Sequence, residues 1–324
     1  MNSRQRFLET MSYGCPDRVP YFEEGIRRDV LDAWHAQGLP KGEGIVDLFP
    51  TDKRLEIQPD VYPSPQPDPW PTTIKDLDGF RRRLKPSLST RLPLGWRKTA
   101  RQSRERGEVI MLRVHQGFFQ TLGVDASRRF TQINYLLYDD PAFIHAMLEL
   151  QGKFTARLTG KILHTVKVDA VIFSEAIGDN HGALISPQMY REFVLPHYQP
   201  LMQVLREHGV EVVILRTYAN ARALVPAMLE GGFNCLWASE VNVAAMDYGD
   251  LRREFGRDLR LIGGIDLDAL RNGKDAIKRE LEEKVPPLLA DGVYIPLADG
   301  RVRAEVPYEC YCYYRELLQE IIEG

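Results

Sequence analysis

The chain has 324 residues, 44% hydrophobic and 27% charged, with a net charge of -3. This is the composition of a globular protein long enough to bury a large core. The charge balance argues against a nucleic-acid footprint, and no apolar run approaches the roughly 18 residues of a membrane span. The opening MNSRQRFLETM has no apolar signal-peptide core, so a cytoplasmic protein is expected. Four cysteines do not make a disulfide framework, and Cys310-x-Cys312 lacks a matching His or Cys pair for zinc.

In chain order, Ser3 to Ser12 reads as an N-terminal helix with Phe7, Leu8 and Met11 on one face. Val19 to Phe22 reads as the first strand, running into Glu23-Glu24-Gly25. Glu24 either faces a site or caps the helix expected over 26–37. Ile45 to Phe49 and Arg54 to Val61 compete as the second strand. The segment YPSPQPDPWPTT, with five prolines in twelve residues, must be an extended surface excursion. Helices are expected over 74–84 and 94–106.

From Glu108 onward strands and helices alternate. Val109 to Val114 is a strand ending at His115, a candidate ligand-binding group whose competing reading is a hydrogen-bonded core histidine. Tyr138-Asp139-Asp140-Pro141 starts a long helix to about Val166. Asp169 to Phe173 is a strand followed by a polar loop carrying Glu175, Asp179 and His181. Ser186-Pro187 fits an N-cap followed by N1 of a helix to about His208. The β-branched run from Val210 to Leu215 marks a strand buried on both faces. Arg216 and Tyr218 follow it, and Ser239 and Glu240 follow the strand from Phe233 to Trp237. The competing reading of Arg216 and Glu240 is a rim ion pair. Leu259 to Ile262 leads into Gly263-Gly264-Ile265-Asp266, where the glycines allow close backbone approach to a ligand. Asp266 could face that ligand or cap a helix. The last strand, from Gly292 to Leu297, runs into Ala298-Asp299-Gly300-Arg301, and Tyr308 to Ile322 closes the chain as a helix.

Eight strands with helices between them give a single-domain (β/α)8 barrel over 1–324, whose C-terminal rim carries the ligands and catalytic groups. A doubly wound sheet is the alternative, but no GxGxxG follows the first strand.

Several segments carry a resemblance: PDRVP at 16–20, YDDP at 138–141, IFSEAIG within 171–178, LISPQMYREFVLPHY at 184–198, the GGFNCL turn, LIGGIDLDAL at 261–270 and GVYIPLADGRVRAEVP at 292–307. In this order they resemble the uroporphyrinogen decarboxylase superfamily, which includes zinc-dependent methyltransferases acting with corrinoid proteins and thiols. The resemblance implies a barrel, a small-molecule substrate and a homodimer. The decarboxylase branch has an arginine-rich loop after the first strand, where this chain reads FEEGIRRD. It has a tyrosine where this chain reads GFFQTLG, and a histidine where this chain has Asp299. The counterpart of its catalytic aspartate is Glu56 or Asp60. The methyltransferase branch has a His-x-Cys where this chain reads Arg216-Thr217-Tyr218, so its thiolate zinc site is absent.

The residues that remain suit decarboxylation. Arg216 offers a fork for a substrate carboxylate. Tyr218, Asp299 and either Glu175 or Glu240 handle protons. Glu24, His115, Asp179, Asp266 and Arg301 are the candidate substrate contacts. No cofactor is expected; a metal held by Glu175, Asp179, His115 or Glu240 is the minor alternative. A corrinoid- or folate-linked methyltransferase, which would need a corrinoid partner, is the second reading, and a non-catalytic binding protein the third.

Overall fold

A computed structural model describes residues 1–42, 45–125, 127–239 and 245–324. Seven strands form one parallel sheet in sequence order: β1 (Arg54–Ile57), β2 (Val109–His115), β3 (Ala170–Glu175), β4 (Val213–Tyr218), β5 (Cys235–Ser239), β6 (Arg260–Ile265) and β7 (Tyr294–Ala298). Every residue of β3, β5 and β7 is buried, as expected for strands covered on both faces. One set of alternating side chains meets in a single inner cluster: Val109 and Met111, Ala170 and Ile172, Val212 and Ile214, Cys235 and Trp237, Ile262, then Ile295 and Leu297. Side chains from β2 through β7 can share one cluster only if the sheet curls around them. The other set packs outward against the helices, with Val171, Phe173, Leu215 and Leu236 in the larger outer core.

The N-terminal helix Ser3–Met11 is present, capped by Asn2, and its Phe7 and Met11 join the inner cluster. The expected first strand at Val19 makes no ladder. Residues 19–25 form no regular secondary structure, the Asp52 backbone N–H donates to Tyr21 O at 2.9 Å, and Ile26 makes an isolated parallel bridge to Val302. Phe22 nevertheless reaches the inner cluster. Ile45–Leu48 is a short helix rather than a strand, which leaves Arg54–Ile57 as β1.

The helix expected from Tyr138 is preceded by one the sequence did not announce, Ser127–Asp139; Asp140 then caps Pro141–Leu163 by accepting from Phe143 N. Ser186 caps Pro187 as expected, and a π-helical turn over Tyr190–Val194 precedes Leu195–Glu207. The closing helix Tyr308–Glu323 packs Tyr311 on Trp34, with ring centroids 4.8 Å apart. No helix among the described residues is long and apolar enough to cross a membrane.

Candidate active site at the C-terminal ends of the strands

The alternation that fills the inner cluster continues toward the C-terminal ends of the strands, where the inward residues turn polar. After Met111 comes Arg113, after Ile172 comes Ser174, and after Ile214 comes Arg216. Their charges are linked in a chain. Arg113 Nε and Nη2 both donate to Glu56 Oε1, at 2.9 and 2.6 Å. The other Glu56 oxygen lies 3.9 Å from Arg216 Nη1. Arg216 Nη2 donates in turn to Glu24 Oε2, so the segment 19–26 is tied to β4. The Arg216 guanidinium stands 4.5 Å from the centre of the Trp237 ring, a cation–π contact on the inner wall. Arg54 reaches the same ring from below at 5.3 Å and donates to Glu23 O.

This arrangement leaves polar atoms buried without partners among the described residues: Glu24 Oε1, Arg216 Nε, Ser174 Oγ, Ser239 Oγ and Gln116 Nε2. Leaving such a group unmatched costs about 1–3 kcal/mol each; four more such atoms, on Gln151, Tyr190, Thr217 and Arg252, lie elsewhere, while Ser174 and Gln116 of the first group line a cavity. The cavity measures 620 Å³ and is walled by Gln58, Asp60, Tyr62, Arg113, Ser174 and Tyr218 among others. That volume suits a small molecule.

The structure divides the residues expected to form the site. Glu24, Arg216 and Tyr218 lie at the mouth. Arg216, however, is not part of the cavity wall and engages Glu24, while Arg113, which the sequence reading passed over, occupies the wall.

Glu175 and His115 point the other way, into the helical layer. Glu175 is fully buried; Oε1 accepts from Phe118 N at 2.7 Å and Oε2 from the Tyr198 hydroxyl at 2.5 Å. Burial pushes its carboxyl up to about 7, against the opposing pull of those two donors. His115 Nδ1 accepts from Gly117 N at 2.9 Å, which fixes the ring proton on Nε2, and the ring lies against Tyr198. Desolvation lowers its pKa to about 3, so it stays neutral. This is the core-histidine reading.

The remaining acids order backbone. Asp179 is exposed and accepts from His181 N and Gly182 N, which hold its carboxyl below the usual range. Asp266 caps Leu267–Arg271 by accepting from Asp268 N, and Asp299 Oδ1 accepts from Leu267 N at 3.1 Å. Asp299 is not part of the cavity wall, and Arg301 is exposed to solvent away from it. Glu240 lies outside the described residues. The paired glycines make room for a protein side chain rather than a ligand. A Cβ at Gly264 would fall 2.5 Å from the Tyr248 ring, whose hydroxyl donates to Ile262 O and accepts from Ala238 N. Among the described residues, no three His, Cys, Asp or Glu side chains converge as a metal site.

Arg113 carried a usable signal. It is the charged residue in the apolar run of β2, two positions beyond Met111, and an arginine inside such a run needs either an ion partner or a cavity.

Residues 57–292 match the family model described as uroporphyrinogen decarboxylase (URO-D). Similar curated proteins include the uroporphyrinogen decarboxylase of Pseudomonas putida strain KT2440, 26% identical over 277 residues, which are 82% of this chain and 69% of that protein. Uroporphyrinogen decarboxylase 2, chloroplastic, of Arabidopsis thaliana is 25% identical over 201 residues, 60% of this chain and 47% of that protein. The chain thus spans about half the length of the plant relative and about two thirds of the bacterial one.

Proposed function

Starting from a chain that belongs to the uroporphyrinogen decarboxylase family, we propose an enzyme that removes CO2 from a carboxylated, tetrapyrrole-like small molecule held at the C-terminal mouth of the sheet. The observation that carries this reading is the Arg113 guanidinium in the wall of the 620 Å³ cavity, beside Tyr218. Arg113 binds a substrate carboxylate through its fork, and Arg216, which shares Glu56 with it, adds positive potential. When the carbon–carbon bond breaks, CO2 leaves and its electron pair stays on the substrate carbon. A proton from the Tyr218 hydroxyl completes the new C–H bond, and solvent reprotonates the phenolate. Glu56 and Glu24 keep the two guanidiniums aligned.

The same reading includes a single domain closed as an eight-fold barrel. The segment 19–26 takes the eighth place between β7 and β1, a position supported by the Ile26–Val302 bridge and the Tyr21–Asp52 hydrogen bond.

The test is CO2 release from a panel of porphyrinogens and smaller polycarboxylates. Arg113→Ala should raise KM about tenfold to a hundredfold, since an ionic hydrogen bond is worth about 1.5–3 kcal/mol. Arg113→Lys should recover only part of this, because a lysine keeps the charge and loses the fork. Tyr218→Phe should lower kcat with little change in KM. Wild-type kinetics in both Arg113→Ala and Tyr218→Phe, or no CO2 from any member of the panel, would overturn the reading.

A further inference from the structure

A second and larger cavity, 1030 Å³, opens at the opposite end of the sheet, where the chain enters β2, β3 and β4. Its charged wall consists of Arg4 from the N-terminal helix, Arg97, Lys98, Arg101 and Arg104 from the helix Trp96–Glu105, and Lys167 ahead of β3. Arg97, Arg101 and Arg104 fall at i, i+4 and i+7, so they share the helix face turned toward the cavity. Asp169 is the single carboxylate in the wall, and it is fully engaged. Oδ1 receives Arg4 Nε and Arg104 Nη1 at 2.9 Å each, and Oδ2 receives Ile110 N. Among the described residues no carboxylate lies within ion-pair distance of Arg97, Lys98 or Lys167, and Arg101 has only the exposed Glu105 at 3.9 Å. Ile110, Leu163, Val166, Val168 and Val210 supply an apolar floor.

Six cations around one neutralised carboxylate, gathered from three parts of the chain, differ from a solvated basic helix face in being concave and partly apolar. We infer that this cavity binds a polyphosphate-bearing small molecule: the cations take the phosphates, and the floor takes an apolar body such as a nucleobase. Arginine forks and lysine charges both suit phosphate oxygens. The site lies at the far end of the strands from the proposed active site and does not rest on that reading.

The test is calorimetric titration of the full chain with inorganic tripolyphosphate and, separately, with ATP, at about 50 and 300 mM salt. Saturable one-to-one binding that weakens at the higher salt is expected. ATP binding tighter than tripolyphosphate would assign the floor to the base; equal affinity would make free polyphosphate sufficient. The triple variant Arg97→Ala, Lys98→Ala, Arg101→Ala changes only exposed side chains and should weaken binding about tenfold or more. Replacing Arg81, Arg82 and Arg83 by alanine, outside the cavity, should leave affinity unchanged. Absence of saturable binding with both probes, or wild-type affinity in the Arg97/Lys98/Arg101 variant, would overturn the inference.

Discussion

A carboxyl enclosed by a backbone N–H and a tyrosine hydroxyl, as Glu175 is, responds to pH in a direction set by its surroundings. Burial raises it from its ordinary 4.5 to about 7. The folded protein therefore retains a proton that the unfolded chain has already released between those values. Stability from this group is present below about 4.5, falls as pH rises through the window, and is gone above 7. The total is about 3 kcal/mol at most. His115 works in the opposite sense. It is neutral in the fold down to about 3, so unfolding takes up a proton and stability drops as pH falls below about 6.5. The two effects overlap, so wild type alone does not separate them. Comparison with Glu175→Gln does, because the amide keeps a hydrogen-bonding side chain without the titration. The expected outcome is that urea unfolding from pH 4 to 8 shows wild type losing stability relative to Glu175→Gln as pH rises. Parallel curves would mean that Glu175 titrates in the ordinary carboxylate range.

At the scale of the element, β2 and β3 end in a junction that depends on one glycine. Gly117 has φ +101°, and a Cβ there would fall 2.8 Å from Ser174 O and 2.9 Å from Glu175 Oε1. Gly117→Ala should therefore cost about 1–3 kcal/mol from strain and close approach together. Because Ser174 belongs to the cavity wall, it should also weaken substrate binding. Thermal unfolding and KM measured on the same preparation check both, and an unchanged melting temperature would show that the junction relaxes without cost. This junction also shows where sequence reasoning stops. The strands from β3 onward, the Ser186 cap and the start of the long helix near Asp140-Pro141 were legible, because β-branched runs, capping side chains and prolines are local signals. The direction of Glu175 and His115 was not. Strands buried on both faces read as continuous apolar runs, and nothing in such a run says which alternate set faces inward. The inner cluster supplies that parity: Ile172 and Ser174 point in, so Glu175 points out. The same parity brings in Arg113, which sits inside its strand, whereas the sequence reading favoured residues just beyond strand ends. It would bring in His115 two positions on as well, but the register shifts between Arg113 and His115, and the ring turns outward. Gly263 and Gly264 were legible as a close approach, but the approaching group is a protein side chain, Tyr248 of the helix Tyr248–Phe255 just before β6.

At the scale of the whole molecule, the segment 19–26 is held in place by side chains rather than by a ladder of strand hydrogen bonds. At its mouth end Glu24 binds Arg216, and Glu23 accepts from Tyr311 and Arg315 of the closing helix. At its start the anchor is Asp52, which is buried. Oδ1 receives Arg6 Nη1 at 3.0 Å, and Oδ2 receives Arg18 Nη1 at 2.7 Å and Tyr21 N at 2.9 Å. One carboxylate thus joins the N-terminal helix, the segment 19–26 and the approach to β1. Burial alone would raise its pKa, but the bonds from Arg18 and Tyr21 outweigh that and hold it below its ordinary 3.8. Its contribution is therefore present at neutral pH and lost as pH falls through the range below about 3.8. Asp52→Asn removes the charge and leaves two partly buried guanidiniums facing an amide, at a cost of about 3 kcal/mol at pH 7. The gap between variant and wild type in urea unfolding should be full at pH 7 and should narrow as pH falls below about 3.8, where the unfolded chain takes up a proton that the folded carboxylate still resists. Arg216 depends on Glu24, and Glu24 rides on the same segment, so the loosened variant should also bind substrate less tightly at temperatures where it remains folded. A stability loss with unchanged substrate affinity would show that the ion pairs at the mouth fix the segment on their own. Loss of both would make Asp52 the remote support of the cavity wall.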